Sequence, residues 1–210
     1  MEQAVRDRLT QLLKEKKRDP ENAEEWFDFG NELFNEDEIE EAEAAFRIAL
    51  ELQPDHGATW RDLGVTLFIQ NRNEEAEEAF RKATEKTPED PDTWYNLGCL
   101  LNGTERNEEA EVMFRKASEL NPEDPDVWCN LGVTMIALDR IDEAEVALKK
   151  AVEIKPTHLV GWLNLVALLQ SEGREEEAER AHETALEFLP GFNDFIMNLS
   201  EFVDETKSKE

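Results

Sequence analysis

The chain has 210 residues, 40% of them hydrophobic, with five tryptophans and eleven phenylalanines, so it can bury a sizeable core without staples. Its 51 acidic and 23 basic side chains give a net charge of −28. That balance argues against a nucleic-acid partner, which is held through clustered Lys and Arg, and against docking on an anionic membrane. No run approaches the roughly 18 apolar residues of a membrane span. The N-terminal MEQAVRDRLTQLL lacks the apolar stretch of a secretory signal, and two cysteines make no disulfide framework. A reducing, cytoplasmic location is the expectation. Glutamates outnumber aspartates 37 to 14, as in solvated helical surface.

In chain order, residues 2–17 place Val5, Leu9, Leu12 and Leu13 on one helical face. A strict period follows. Pro20, Pro54, Pro88, Pro122, Pro156 and Pro190 are each 34 residues apart, as are Pro91 and Pro125. Trp26, Trp60, Trp94, Trp128 and Trp162 share that spacing. The result is five gapless units, 23–56, 57–90, 91–124, 125–158 and 159–192, flanked by 1–22 and 193–210.

Within a unit, the fourth, seventh and eleventh residues are apolar and share one face of a first helix. The eighth is Gly30, Gly64, Gly98, Gly132 and then Val166. A second helix carries alanine at its twentieth and twenty-seventh residues, with Phe46, Phe80, Phe114, Leu148 and His182 between them. The small residues are expected to let helices approach closely. Asn73 and Asn107, each followed by two glutamates, read as N-caps of second helices. Each proline stops a second helix. Residues 193–206, with Ile196, Leu199 and Val203, read as a lone first helix sealing the last unit, and 2–17 as a lone second helix covering the first. About twelve helices and no strand are expected.

W-x2-LG, the two alanines flanking a bulky residue, and the terminal proline make residues 23–192 resemble a tetratricopeptide repeat array. The resemblance implies an all-α, right-handed solenoid of antiparallel helix pairs. It implies further that first helices line a concave peptide-binding groove through their second, fifth, sixth, ninth, twelfth and thirteenth residues. The groove positions then include Phe27, Asn31, Arg61, Val65, Phe68, Tyr95, Asn96, Cys99, Cys129, Asn130, Val133, Leu163 and Asn164. Phe27, Phe68, Ile69, Tyr95, Val133, Ile136 and Leu163 bring more apolar surface than a solvated face would carry. The twelfth and thirteenth residues can equally pack against neighbouring helices. Asn96, Asn130 and Asn164 stand in register, and an amide matches the peptide unit of a ligand; solvated or capping asparagines are the alternative.

Co-chaperone members of the family hold C-terminal carboxylates with basic first-helix residues. Here the fifth residues are Phe27, Arg61, Tyr95, Cys129 and Leu163, so chaperone tails are not expected as partners. Unit 23–56 has twelve acidic residues against Arg47 alone; either the basic strip Lys14, Lys16, Lys17 and Arg18 pairs with it, or a basic partner segment does. No Cys/His spacing suits a metal, no phosphate loop or nucleophile elbow occurs, and no cofactor or catalysis is expected. The leading expectation is a non-catalytic scaffold that binds a protein or peptide with apolar anchors and a basic flank near the first unit. A self-associating spacer that assembles through its end helices is the alternative.

Overall fold

The computed structural model describes residues 2–193, among which there are eleven α-helices and no strand. They are α1 (Glu2–Glu15), α2 (Ala23–Asn35), α3 (Ile39–Leu52), α4 (Gly57–Ile69), α5 (Asn73–Lys86) and α6 (Pro91–Gly103). Then follow α7 (Asn107–Leu120), α8 (Pro125–Ala137), α9 (Ile141–Ile154), α10 (Leu159–Ser171) and α11 (Glu175–Phe188). The chain divides between Arg106 and Asn107 into two compact units, α1–α6 and α7–α11. The sealing helix expected over 193–206 lies outside the described residues, apart from Asn193.

Local chemistry sets the helix ends. Every first helix closes on a turn with one residue in the left-handed region: Asp37, Asn71, Glu105, Asp139 and Gly173, at φ between 59° and 68°. Asp, Asn and Gly accept that conformation readily, and Glu105 is the exception. Second helices stop just short of Pro54, Pro88, Pro122, Pro156 and Pro190. Pro91 and Pro125 occupy the first turn of α6 and α8, where a missing N–H costs nothing.

The capping assignment needs correction. Asn73 and Asn107 are the first residues of α5 and α7, not their caps. Arg72 holds the α5 N-cap position with no side-chain cap bond, because its guanidinium turns to carboxylates instead. Side-chain caps serve the first helices: Asn22, Asp90, Asp124 and His158 accept from backbone N–H groups of α2, α6, α8 and α10.

One contact recurs in all five repeats, and a second in three of them. The indole Nε1 of Trp26, Trp60, Trp94, Trp128 and Trp162 donates to the carbonyl of Pro20, Pro54, Pro88, Pro122 and Pro156, always at 2.8 Å. The tryptophan thereby fastens the first helix to the proline turn before it. The second contact is a bulky side chain laid on glycine. A Cβ at Gly30 would stand 2.5 Å from the Phe46 ring, one at Gly64 2.7 Å from Phe80, and one at Gly132 2.7 Å from Leu148. Both alanine positions are buried throughout, so no side chain holds the helices apart.

The last hairpin solves the same packing differently. Val166 fills the glycine slot and is buried, while His182 replaces the large apolar residue. The imidazole tilts toward Phe192, with ring centroids 5.5 Å apart, and its Nε2 meets Asn193 Oδ1 at 2.7 Å. Helices α10 and α11 accordingly meet less extensively than the partners in the α2–α3, α4–α5 and α8–α9 pairs.

Helix α1 packs mainly on α3. There Ala44 and Ile48 stand where α5 has Glu78 and Lys82, so α3 alone among the second helices of its unit has an apolar outer face to cover. Arg6 and Arg8 pair with Glu51 and Glu41 of α3, and Lys16 and Arg18 pair with Glu32 of α2. The end of α1 also carries a left-handed residue, Lys17, with Arg18 N–H bonded to the Leu13 carbonyl, the turn otherwise found at the ends of first helices.

The second helices share a periodic ion network. Within the first unit, Arg72 bridges Glu43 at 2.6 Å and Glu75 at 2.7 Å, and Arg106 reaches Glu77 at 2.6 Å. Within the second, Arg140 holds Glu111 and Glu143, and Arg174 holds Glu145 and Glu177. Arg72, Arg140 and Arg174 thus each tie their own second helix to the preceding one. Hydrogen bonding from Arg174, then from Lys149, brings the Glu145 carboxyl down to about 2 against the cost of burial.

Two outcomes follow from this packing. Gly64→Val should destabilise the chain by about 1–3 kcal/mol in urea unfolding, since the new side chain overlaps the Phe80 ring; an unchanged midpoint would contradict the ring-on-glycine contact. The folded Glu145 is depressed below its ordinary value of 4.5, so its contribution is present above that pH and fades as pH falls toward about 2. Glu145→Gln should therefore lose less stability than the unmodified chain between pH 5 and pH 3, as read by circular dichroism in urea.

Candidate functional site

The exposed face of the first helices is built from positions that the hairpin contacts leave over. In the first unit, α2, α4 and α6 contribute Phe27, Asn31, Arg61, Val65, Tyr95, Asn96 and Cys99, all half-buried, and Phe68, which is 38% exposed. Ile69 beside it is 51% exposed. Phe27 lies over Phe46 and meets the His56 ring edge-on at a centroid distance of 5.0 Å. Its ring is thus partly committed to packing.

Arg61 is the one basic residue among these positions, and it is fully engaged. Its Nε donates to Asp62 at 2.8 Å and its Nη1 to Asp90 at 3.1 Å. Asp90 also accepts from the Thr93 hydroxyl at 2.6 Å and caps α6. Burial pushes the Asp62 carboxyl above its ordinary value, opposed by its bond to Arg61. Between α2 and α4 a pocket of about 120 Å³ opens, lined by Asn31, Phe34, Phe46, Asp62 and Val65. Phe46 is fully buried and forms its floor.

In the second unit, the structure brings Cys129, Asn130, Val133, Leu163 and Asn164 onto α8 and α10 with unequal access. Cys129 is 4% exposed, so it is a packing residue more than a surface one. The Asn164 amide donates to its sulfur at 3.5 Å, and burial pushes the thiol above its ordinary value. Asn130 turns its amide back to the Asp126 carbonyl of its own helix at 3.0 Å. Two of the three registered asparagines therefore spend a donor within the chain; Asn96 of the first unit does not among the described residues.

His158, at the start of α10, is buried and does two jobs. Its Nδ1 accepts from the Gly161 N–H at 3.0 Å, which leaves the proton on Nε2, 3.0 Å from Asp126. The imidazole so joins the cap of one first helix to the preceding one. His56 takes the equivalent place in the first unit, with Nδ1 2.6 Å from the Thr59 hydroxyl.

Sequence reasoning passed over Phe46 as a site residue, and placed Phe34 and Asp62 at groove positions without singling them out. A signal existed: the sixth residues are Asp28, Asp62, Asn96, Asn130 and Asn164, so two acids interrupt the amide series.

Comparison with known proteins agrees with this geometry. Residues 27–91 match a tetratricopeptide repeat family, and residues 86–190 match the middle TPR-like domain of cilia and flagella-associated protein 70. The chain belongs to the tetratricopeptide repeat family, and its fold is the α-solenoid of antiparallel helix pairs. Among solved structures it is similar to a MamA protein, at 21% identity and a TM-score of 0.73 over 82% of this chain and 94% of that one. It is similar to YrrB, described as a TPR protein with an unusual peptide-binding site, at 26% identity and a TM-score of 0.70 over 86% and 92%. PilF of Pseudomonas aeruginosa aligns at 23% identity and a TM-score of 0.72 over 79% and 76%. No curated protein sequence matches the chain. Repeats of this family generally mediate protein–protein interactions and are typically non-catalytic. No helix among the described residues is long and apolar enough to cross a membrane.

The two thiols should separate chemically. At pH 8 in native buffer, Cys129 should be alkylated by iodoacetamide at least tenfold more slowly than Cys99, because burial both shields it and disfavours its thiolate. Equal rates by peptide mass mapping would contradict the buried placement.

Proposed function

We propose that this chain is a non-catalytic interaction scaffold that binds a peptide or helix with apolar anchors on the face of its first helices. The observation that carries the reading is Phe68 and Ile69, 38% and 51% exposed at the end of α4, on a face that also bears Phe27, Val65 and Tyr95. Water-exposed apolar surface gathered on one face is covered at a free-energy gain when a partner docks. The peptide-binding site named for YrrB supports the same use of the fold. Arg61 is tied to two aspartates, which disfavours an acidic chaperone tail. Two cysteines outside any disulfide suit a reducing, cytoplasmic compartment.

The test compares partner sets. Proteins retained from native lysate by the immobilised chain should be largely lost with Phe68→Glu/Tyr95→Glu, because each change places a carboxylate in an apolar contact. Identical sets, identified by mass spectrometry, would remove this face from consideration.

A second reading, self-association, draws on Val112 and Val146, 58% and 68% exposed at equivalent positions of α7 and α9. It requires the weight-average mass in light scattering to rise with concentration, and Val112→Lys/Val146→Lys to abolish the rise.

A further inference from the structure

The first unit carries a recognition element more specific than an apolar face. Between α2 and α4, Phe34 and Val65 wall the pocket of about 120 Å³ over the buried Phe46 ring. An engineered apolar cavity of about 150 Å³ takes benzene, so this opening suits one branched aliphatic side chain and excludes an indole. At its mouth stand one neutral group, Asn31, and one acid, Asp62. Asp28 lies three residues before Asn31 on the same face of α2 and is exposed.

The acidic charge on this face is only partly compensated from within the described residues. Glu24, Asp28, Asp62 and Asp92 occupy the face positions of α2, α4 and α6 against Arg61 alone. Arg61 is shared between Asp62 and Asp90, and Asp28 has no ion pair among the described residues. Of the unit's other cations, Arg6 and Arg8 pair with α3, Lys16 and Arg18 with Glu32, Arg47 and Arg72 with Glu43 and Glu75, Arg81 and Arg106 with Glu77, Lys82 with Glu85 and Lys86 with Asp55. Lys16 and Arg18 of the basic N-terminal strip go to Glu32, and no cation among the described residues pairs with Asp28, so a partner can bring one.

Resting on the peptide-binding reading above, we propose that the partner segment presents a branched aliphatic residue adjacent to a lysine or arginine. The aliphatic side chain seats in the Phe34–Val65 pocket, and the cation sits between Asp28 and Asp62. The Asn31 amide, which makes no hydrogen bond among the described residues, is then placed to bond the segment's backbone at the pocket mouth. Asp62, which shares its one in-chain cation with Asp90, and Asp28, which pairs with none among the described residues, both gain from a cation on the ligand, and this supplies selectivity beyond apolar burial.

A random 12-residue peptide library displayed on phage and selected on the full-length chain tests this. The recovered peptides should be enriched in Leu, Ile or Val next to Lys or Arg. Asp28→Asn/Asp62→Asn should weaken a recovered synthetic peptide about tenfold and flatten its salt dependence, while Val65→Phe should remove the aliphatic preference. Circular dichroism shows whether each variant is folded; Val65 is half-buried and Asp28 exposed, so neither change strikes the core. Recovered peptides without the pair, or the same peptides bound equally by these variants, overturn the pocket assignment. If those peptides are still lost with Phe68→Glu/Tyr95→Glu, the first-helix face survives as a peptide surface. No enrichment on any chain overturns both readings.

Discussion

A side chain resting on a bare backbone decides the geometry of this protein. Where Phe46, Phe80 and Leu148 sit on Gly30, Gly64 and Gly132, an added Cβ would come within 2.7 Å of them, so the two helices of a pair stand as close as glycine permits. At that separation alanine is the side chain that fits beside the bulky residue on each side, and the buried alanines follow. The tryptophan–proline bond then fixes where each first helix begins, the indole lying six residues after its acceptor carbonyl. Spacing, helix length and the identities of the small residues are consequences of one contact repeated. In the last described pair valine and histidine exchange the roles of large and small partner, and the pair loosens accordingly.

The same economy explains which surface remains available. Second helices use their outward charges on one another: each bridging arginine takes a glutamate from its own helix and one from the helix before it. First helices have no such network. Their fourth, seventh and eighth residues turn inward, which leaves the fifth, sixth, ninth and twelfth to face outward with little to satisfy them inside the chain. Phe68 and Asp28 are both products of that arrangement, one apolar and one charged.

Fold class and helix order were legible because prolines, tryptophans, glycines and alanines occur at a fixed period and each has a steric or hydrogen-bonding reason to be where it is. The helix caps were less so. Asn73 looks like a cap by residue type, yet Arg72 outweighs it by reaching two glutamates, one of which lies 29 residues away. Cys129 shares its unit position with the half-buried Arg61 and Tyr95 but is itself buried beneath Asn164, an effect of neighbours that a single-chain pattern does not contain. The pocket between α2 and α4 was illegible for the same reason. Its floor, Phe46, belongs to α3, and its role as core residue concealed that one edge of its ring faces an opening.

The sixth position shows how one scaffold carries two chemistries. Where it is asparagine, as at Asn130 and Asn164, the amide can be satisfied by the chain itself, through a helix carbonyl or a neighbouring sulfur. Where it is aspartate, the charge demands a cation. At Asp62 the chain supplies one through Arg61, but Arg61 must also serve Asp90, and at Asp28 it supplies none. A carboxylate can be stabilised by an ion pair or by water, and a pocket mouth that closes over a ligand removes the water. The acidic residues of the first unit therefore favour ligands that bring their own positive charge, and the amides of the second unit impose no such requirement. Selectivity in a repeat protein can in this way arise from a single-atom exchange at one register position, with the packing beneath it unchanged.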